Sequence, residues 1–321
     1  MPAKIGFAII SHSEPEQLLR LVKTLTGLYD SPPIACHHDF GKCPLSTRPF
    51  PLNVRFVHPH WNTSWGHISV TKALLSAVSL VRESDPDWYV LLSGSDYPVR
   101  QPREVLAELQ DSTFDAYIDH RLIRHGYMPP GQTEQQGFRC PAYIPIALAR
   151  YYYPIVWLPH PRQTSFSGIP AGQWLPRLVD PKHWSQYLVL KSDAIARTVN
   201  KRNRYLPIFA GEMWFTANRK AVGRLLDRST EKLLRRLRHR FASDEALMQT
   251  VWCNQPDLNI SPDSRRYTDW NKGGPHPKWI EEADFDSITA TKAHFARKFR
   301  ADSRVLDAVD RMLLKRASRV A

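Results

Sequence analysis

Apolar and polar positions follow two distinct periods along the first third of the chain. Residues 5–10 form an unbroken apolar run, the length and flanks of a strand buried on both faces. Ser13-Glu14-Pro15-Glu16 then reads as a helix start with Pro near its beginning, and Leu18, Leu19, Val22 and Leu25 recur at helical spacing. Residues 33–39 predict a second strand ending on the polar group His37-His38-Asp39, and residues 54–57 a third. Val70, Ala73, Leu74, Ala77, Val78 and Val81 predict a helix over 68–82, and residues 88–92 a fourth strand that runs into Ser93-Gly94-Ser95-Asp96. This β-α-β-β-α-β order predicts an open α/β sheet, whose ligands sit beyond the carboxyl ends of the strands. The polar strand ends therefore converge on one crevice.

The pattern changes between about 121 and 187. That stretch is rich in Pro, Tyr, Trp, His and Gly, includes Tyr151-Tyr152-Tyr153-Pro154 and Ser165-Phe166-Ser167-Gly168, and has little periodicity. It reads as long ordered loops with short strands, the usual carriers of binding residues. Regular periods then return. Residues 208–216 predict a strand, 220–237 a helix, and Ser243-Asp244-Glu245 the cap of a helix over 246–252. Residues 305–314 predict a basic amphipathic helix at the C-terminal end. No internal repeat or low-complexity segment interrupts the chain, which reads as one domain.

Composition narrows the picture only modestly. A chain of 321 residues with 42% hydrophobic and 23% charged residues has the makeup of a globular enzyme. Its net charge of +13 suits polyanions, nucleotides or anionic lipid without choosing among them. The excess is concentrated in Lys201-Arg202-Asn203-Arg204 and in the run from Lys232 to Arg240. Ten Trp and twelve Tyr serve either core packing or stacking on sugar rings and bases. Cys36, Cys43, Cys140 and Cys253 show no C-x-x-C spacing, which argues against a zinc or dithiol site. No apolar stretch is long enough for a signal peptide or a membrane span, so the reading is a cytoplasmic protein with free thiols.

Three places could carry chemistry. Ser243-Asp244-Glu245 fits a helix cap equally well as a general base on the rim of the crevice. The turn Ser93-Gly94-Ser95-Asp96 holds a single acid where nucleotide-sugar transferases often place an Asp-x-Asp for a cation. Asp85-Pro86-Asp87 and Asp284-Phe285-Asp286 do have that form, the first before a strand and the second beyond the apparent core. Without a metal, Lys and Arg must neutralise a leaving diphosphate, and His276-Pro277-Lys278 and His294-Phe295-Ala296-Arg297-Lys298-Phe299 offer them.

Several motifs, taken in order, resemble the core-2/I-branching β-1,6-N-acetylglucosaminyltransferase family, which also contains the peptide O-xylosyltransferases. The stretches are Ala8-Ile9-Ile10-Ser11-His12, His37-His38-Asp39, Trp65 with the helix after it, Trp88-Tyr89-Val90-Leu91-Leu92-Ser93-Gly94-Ser95-Asp96-Tyr97-Pro98, Ala210-Gly211-Glu212-Met213-Trp214-Phe215, Ser243-Asp244-Glu245-Ala246-Leu247, Tyr267-Thr268-Asp269-Trp270 and Ala296-Arg297-Lys298-Phe299. The resemblance implies a GT-A-type, Rossmann-like α/β/α sandwich with a mostly parallel central sheet. It implies an inverting, metal-independent transfer of a sugar, GlcNAc first and xylose as the alternative, from a UDP-sugar to a glycan hydroxyl. Glu245 matches the general base. Ile10, His12, Asp39 and Asp96 match the nucleotide-sugar side, Lys298 the diphosphate, and Lys278 a second cation where relatives carry Arg. Glu212, Trp214 and Trp270 are the counterparts of acceptor-binding residues.

On this reading residues 1–120 form a nucleotide-binding half, 121–300 an acceptor and catalytic half, and 301–321 the basic helix. No cofactor and no metal is expected. The expected partners are a UDP-sugar and a glycan or lipid-linked glycan, with peripheral contact to anionic membrane on the inner face. A bacterial-type member without anchor or disulfides is the implied version. A non-catalytic polyanion-binding protein is the competing reading, without a nucleic-acid motif to support it.

Overall fold

The computed structural model describes residues 3–123, 147–153, 155–157, 187–189, 192–202, 206–238, 240–270 and 276–317. Ser165-Phe166-Ser167-Gly168 and Cys140 lie outside the described residues.

The strands among the described residues are, in chain order, β1 (Ile5–Ser11), β2 (Ile34–His38), β3 (Val54–Phe56), β4 (Trp88–Ser93), β5 (Asp96–Pro98), β6 (Ala116–Ile118), β7 (Arg121–Leu122), β8 (Ile155–Trp157), β9 (Tyr187–Val189), β10 (Phe209–Ala210), β11 (Phe215–Asn218), β12 (Ile260–Ser261), β13 (Arg266–Thr268) and β14 (Phe295–Arg297). Seven of them make the central sheet in the order β12-β6-β11-β4-β1-β2-β3. β1 pairs in parallel with β2 and β4, β2 with β3, and β12 with β6, while β11 runs against both β4 and β6. The sheet is thus mostly parallel, with one reversed strand, in the manner of a GT-A-like Rossmann-type fold.

Side-chain alternation along the strands creates two cores. Ala8, Ala35, Tyr89 and Leu91 pack on one face, under the helix Ile68–Arg82 and the helix Leu247–Cys253. Phe7, Ile9, Cys36, Val90 and Leu92 pack on the other, under the helices Pro15–Leu28, Pro102–Gln110 and Arg304–Ala317. The last helix is also fastened by polar ties. Tyr97 donates its hydroxyl to Asp310 at 2.7 Å, and Arg20 bridges Asp307 and Asp310 at 2.6 Å each.

A smaller sheet, β13-β14-β5, sits beside the ends of the central strands. Its register sets Arg297 opposite Asp96 and Ala296 opposite Tyr97.

Four details depart from the sequence reading. The start of the first helix has Glu14 at the cap position with φ of 51° and no side-chain capping bond, although Pro15 opens the helix as expected. The strand expected over 208–216 is two short strands, because Gly211 turns the chain hard against β6. A Cβ there would lie 2.2 Å from the Asp119 carbonyl oxygen. The helix expected over 220–237 breaks into Arg219–Leu225 and Arg228–Leu237, since Asp227 leaves helical geometry and accepts from Ser229 N to cap the second. Ser243-Asp244-Glu245 forms its own 3₁₀ turn, and Ala246, without a side-chain bond, precedes the helix Leu247–Cys253. Helix capping therefore does not account for Asp244 and Glu245.

Cys36, Cys43 and Cys253 are free thiols, so Cys36 and Cys43 close no loop. Among the described residues no helix is long and apolar enough to cross a membrane.

Candidate active site

The crevice lies at the carboxyl ends of β1, β2 and β4. Parallel pairing brings Ile10 level with His37 on one side and Ser93 on the other. Backbone bonds close the ends: Asp39 N donates to Ser11 O and Gly94 N to Ile10 O, both at 2.9 Å. Ile10 is half-buried there, and His12 projects from the rim. The His12 imidazole is pushed below its ordinary range, first by burial and then by the charges of Lys42 and Lys298, while Asp39 pulls the other way. Strand ends distant in sequence thus bring one carboxylate and three basic side chains into mutual electrostatic reach.

Asp39 itself is buried and accepts from Thr63 N and Thr63 Oγ1 at 2.7 Å and from Lys42 N at 3.2 Å. Burial opposes its ionisation, but these bonds outweigh it and hold the carboxyl below the usual range. Its placement pins the 61–63 loop against the end of β2.

Asp96 has no exposed surface. It accepts from Ser93 N at 3.0 Å and from Ser93 Oγ, and its Oδ1 lies 3.2 Å from Arg297 Nε. In this structure it holds the turn and the neighbouring cation rather than facing the crevice. Lys298 follows Arg297, and Lys298 O accepts from Ile280 N at 2.8 Å while Phe299 N donates to Ser95 O at 2.9 Å. The Lys298 ammonium is pulled down to about 8, by burial first and then by Arg297, with Asp96 acting in the opposite direction.

Lys278 departs from its expected role. Its ammonium sits 2.8 Å from both oxygens of Asp284, so it is committed to an ion pair within its own segment. That pairing also takes one acid out of Asp284-Phe285-Asp286. In the other triplet, Asp85 and Asp87 both pair with Arg219. Among the described residues, no group of three or more His, Cys, Asp or Glu is placed to hold a metal ion.

The residues expected on the acceptor side divide in two. Trp270 Nε1 donates to Glu212 Oε1 at 2.6 Å, and Thr268 Oγ1 donates to Glu212 Oε2 at 3.3 Å. Trp214 instead is 6% exposed and lies in the core, with the Arg297 guanidinium 4.0 Å above its ring. It supports a cation and presents no face to the crevice. Arg297 is thereby fixed between Trp214 and Asp96.

Glu245 reaches the same region through the backbone. Its carbonyl accepts from Gly211 N at 3.0 Å, which seats the Ser243–Glu245 turn directly beside Glu212. Its carboxylate Oε2 lies 2.5 Å from Arg150 Nη1, with side chains 30% and 7% exposed. Asp244 is buried, and among the described residues its Oδ1 has no hydrogen-bond partner. Burial first, and then the Glu245 charge, raise it to about 7. Two sequence-adjacent acids thus have opposite surroundings, one dry and one beside a guanidinium at the crevice. Sequence reasoning missed Arg150 and the role of Arg297. Arg150 precedes the conspicuous Tyr151-Tyr152-Tyr153 run but has no motif of its own.

A family comparison picks out part of this region. Residues 171–293 match the profile of the Branch family, the Core-2/I-branching enzymes. Over those residues the chain is similar to that family. The match includes Glu212, Glu245 and Trp270, whereas Ile10, Asp39 and Lys298 lie outside the matched residues. Two relatives from Arabidopsis thaliana are similar over most of the chain. Beta-glucuronosyltransferase GlcAT14A is 27% identical over 264 residues, covering 78% of this chain and 48% of that protein. Beta-glucuronosyltransferase GlcAT14B is 27% identical over 278 residues, covering 83% and 53%. The chain therefore spans about half the length of these relatives. Among solved structures, a mannose-1-phosphate geranyltransferase from Thermus thermophilus overlaps 79% of this chain and 69% of its own at 13% identity, with a TM-score of 0.28.

Proposed function

We propose that the protein is a glycosyltransferase that moves a sugar from a UDP-sugar to a glycan hydroxyl with inversion and without a metal ion. The observation that carries this reading is the hydrogen bond from Gly211 N to Glu245 O, which sets Glu245, a residue with a partly exposed carboxylate, next to the backbone of Glu212, the partner of Trp270. In the proposed reaction, Glu245 takes the proton of the acceptor hydroxyl as its oxygen attacks the anomeric carbon from the face opposite UDP. Glu212 and Trp270 orient the acceptor ring, the indole offering an apolar face and the carboxylate its hydrogen-bond acceptors. The nucleotide lies over Ile10 and Asp39, and Lys298, with Arg297 beside it, neutralises the diphosphate as the glycosidic bond breaks.

The donor follows from two lines of support. The sequence motifs favour GlcNAc, with xylose as the alternative. The names of the two plant relatives favour glucuronic acid, and the basic rim of His12, Lys42 and Lys298 suits a donor that carries a carboxylate. A panel of UDP-GlcNAc, UDP-glucuronic acid and UDP-xylose, with UDP release measured in EDTA, tests donor and metal dependence together. Release from one of them in EDTA supports the reading. Activity that vanishes in EDTA and returns with manganese contradicts the metal-free mechanism.

A cytoplasmic location and contact with an anionic membrane belong to the same proposal. Arg228, Lys232, Arg235 and Arg238 are exposed along the helix Arg228–Leu237 and the residue after it, which supports a cationic surface there.

A further inference from the structure

Arg150 is built into the wall of the crevice with unusual firmness for a residue from the irregular middle of the chain. It belongs to the short helical turn Leu148–Tyr152, whose segment is tied to residues 240–245 at several points. Arg240 Nη1 donates to the carbonyls of Arg150 and Tyr153 at 3.0 and 2.9 Å. Tyr151 donates its hydroxyl to Ala242 O. The Arg150 guanidinium lies 4.7 Å above the Phe241 ring and 2.5 Å from Glu245 Oε2. Phe241 packs over Gly66, where a Cβ would meet the ring at 2.1 Å, and makes an edge contact with Trp65 at 4.9 Å between ring centroids.

We propose that Arg150 is a positioning residue for Glu245, presenting its carboxylate at the crevice from a guanidinium that is itself locked on Phe241. This rests on Glu245 being the base. A base must meet the acceptor proton within hydrogen-bond reach, and a glutamate with three free torsions does so only if something orients it. Arg suits the task because its planar fork stacks on a ring while binding a carboxylate, which a Lys ammonium does not reproduce.

Arg150 also divides the charge of the acidic pair. Asp244 and Glu245 repel, and Asp244 is the buried member that keeps its proton more readily. Among the described residues, the Arg150 guanidinium meets Glu245, the neutral Tyr151 phenol lies beside the pair, and Arg240 holds the Arg150 backbone. The more exposed acid, on the side where the acceptor arrives, is thus the one that meets the guanidinium.

The test is UDP release from UDP-GlcNAc or UDP-glucuronic acid across pH 5 to 9, with UDP affinity from calorimetry, for R150M, R150K and F241L. R150M should lower kcat about a hundred-fold, leave UDP affinity within about two-fold, and move the acid limb of the rate profile to higher pH. R150K should keep the limb and lose an intermediate part of kcat, as should F241L, which loosens the guanidinium without removing its charge. Wild-type kcat and an unmoved limb in R150M would overturn the proposal. Should R150M not fold, wild-type kcat in both R150K and F241L would overturn it equally. E245Q separates the two claims: if it turns over, the base assignment fails, whereas an inactive E245Q with a wild-type-like R150M refutes only the role of Arg150.

Discussion

Trp270 Nε1 and Glu212 Oε1 are 2.6 Å apart, joined by a charge-assisted hydrogen bond between two residues far apart in sequence. Glu212 sits in the sharp passage between β10 and β11, and its backbone N donates to Asp119 Oδ2 at 3.0 Å. The indole is therefore aimed by a carboxylate whose own position is fixed by the sheet.

Breaking that pair should damage the handling of the acceptor more than the handling of UDP. E212Q and W270F should raise acceptor KM about ten-fold to thirty-fold, the effect of about 1.5–2 kcal/mol for a lost charged hydrogen bond. Calorimetric UDP affinity should stay at the wild-type value. Equal losses in UDP and acceptor binding would contradict the separation of the two sides.

Lys298 supplies a pH dependence. Its ammonium is already pulled down to about 8 by burial and by Arg297, so it loses its charge as pH rises through that value. UDP affinity should therefore decline between pH 7 and 9 in the wild type. K298R, charged throughout, should abolish that decline, and K298M should bind about ten-fold to a hundred-fold more weakly at pH 7. Titration calorimetry at several pH values measures all three.

Asp244 supplies another, in stability. Its folded-state carboxyl is raised to about 7, above its unfolded value of about 3.9. Between those values the folded chain holds a proton that the unfolded chain has released. Its contribution to stability is then fully present below the unfolded value and is lost as pH rises through about 7. D244N, neutral at every pH, should melt at a higher temperature than the wild type at pH 8, with the gap closing toward pH 4. A gap that is the same at both pH values would show that folding does not raise the Asp244 carboxyl.

The strands and their crevice were legible because apolar runs buried on both faces are hard to mistake. Residues 5–10 and 88–92 announce β1 and β4, and the helix Ile68–Arg82 has the predicted boundaries. What escaped depended on contacts between distant segments. Nothing local says that Gly211 must abut Asp119, so 208–216 reads as one strand although it is two. Trp214 reads as a sugar platform because aromatic residues do both jobs, and only burial under Arg297 distinguishes them. Lys278 reads as a free cation because its partner Asp284 is separated from it by a turn whose geometry the sequence does not reveal. Arg150 comes from a stretch without periodicity, where pattern carries no information about which side chain turns inward.

The central claim is that Glu245 is the base while the nucleotide is held elsewhere, and E245Q tests it most directly. Turnover of the donor found in the panel and UDP affinity by calorimetry should be measured on the same preparation. The account predicts a loss of turnover of about a hundred-fold to ten-thousand-fold with unchanged UDP affinity. Near wild-type turnover in E245Q would contradict it.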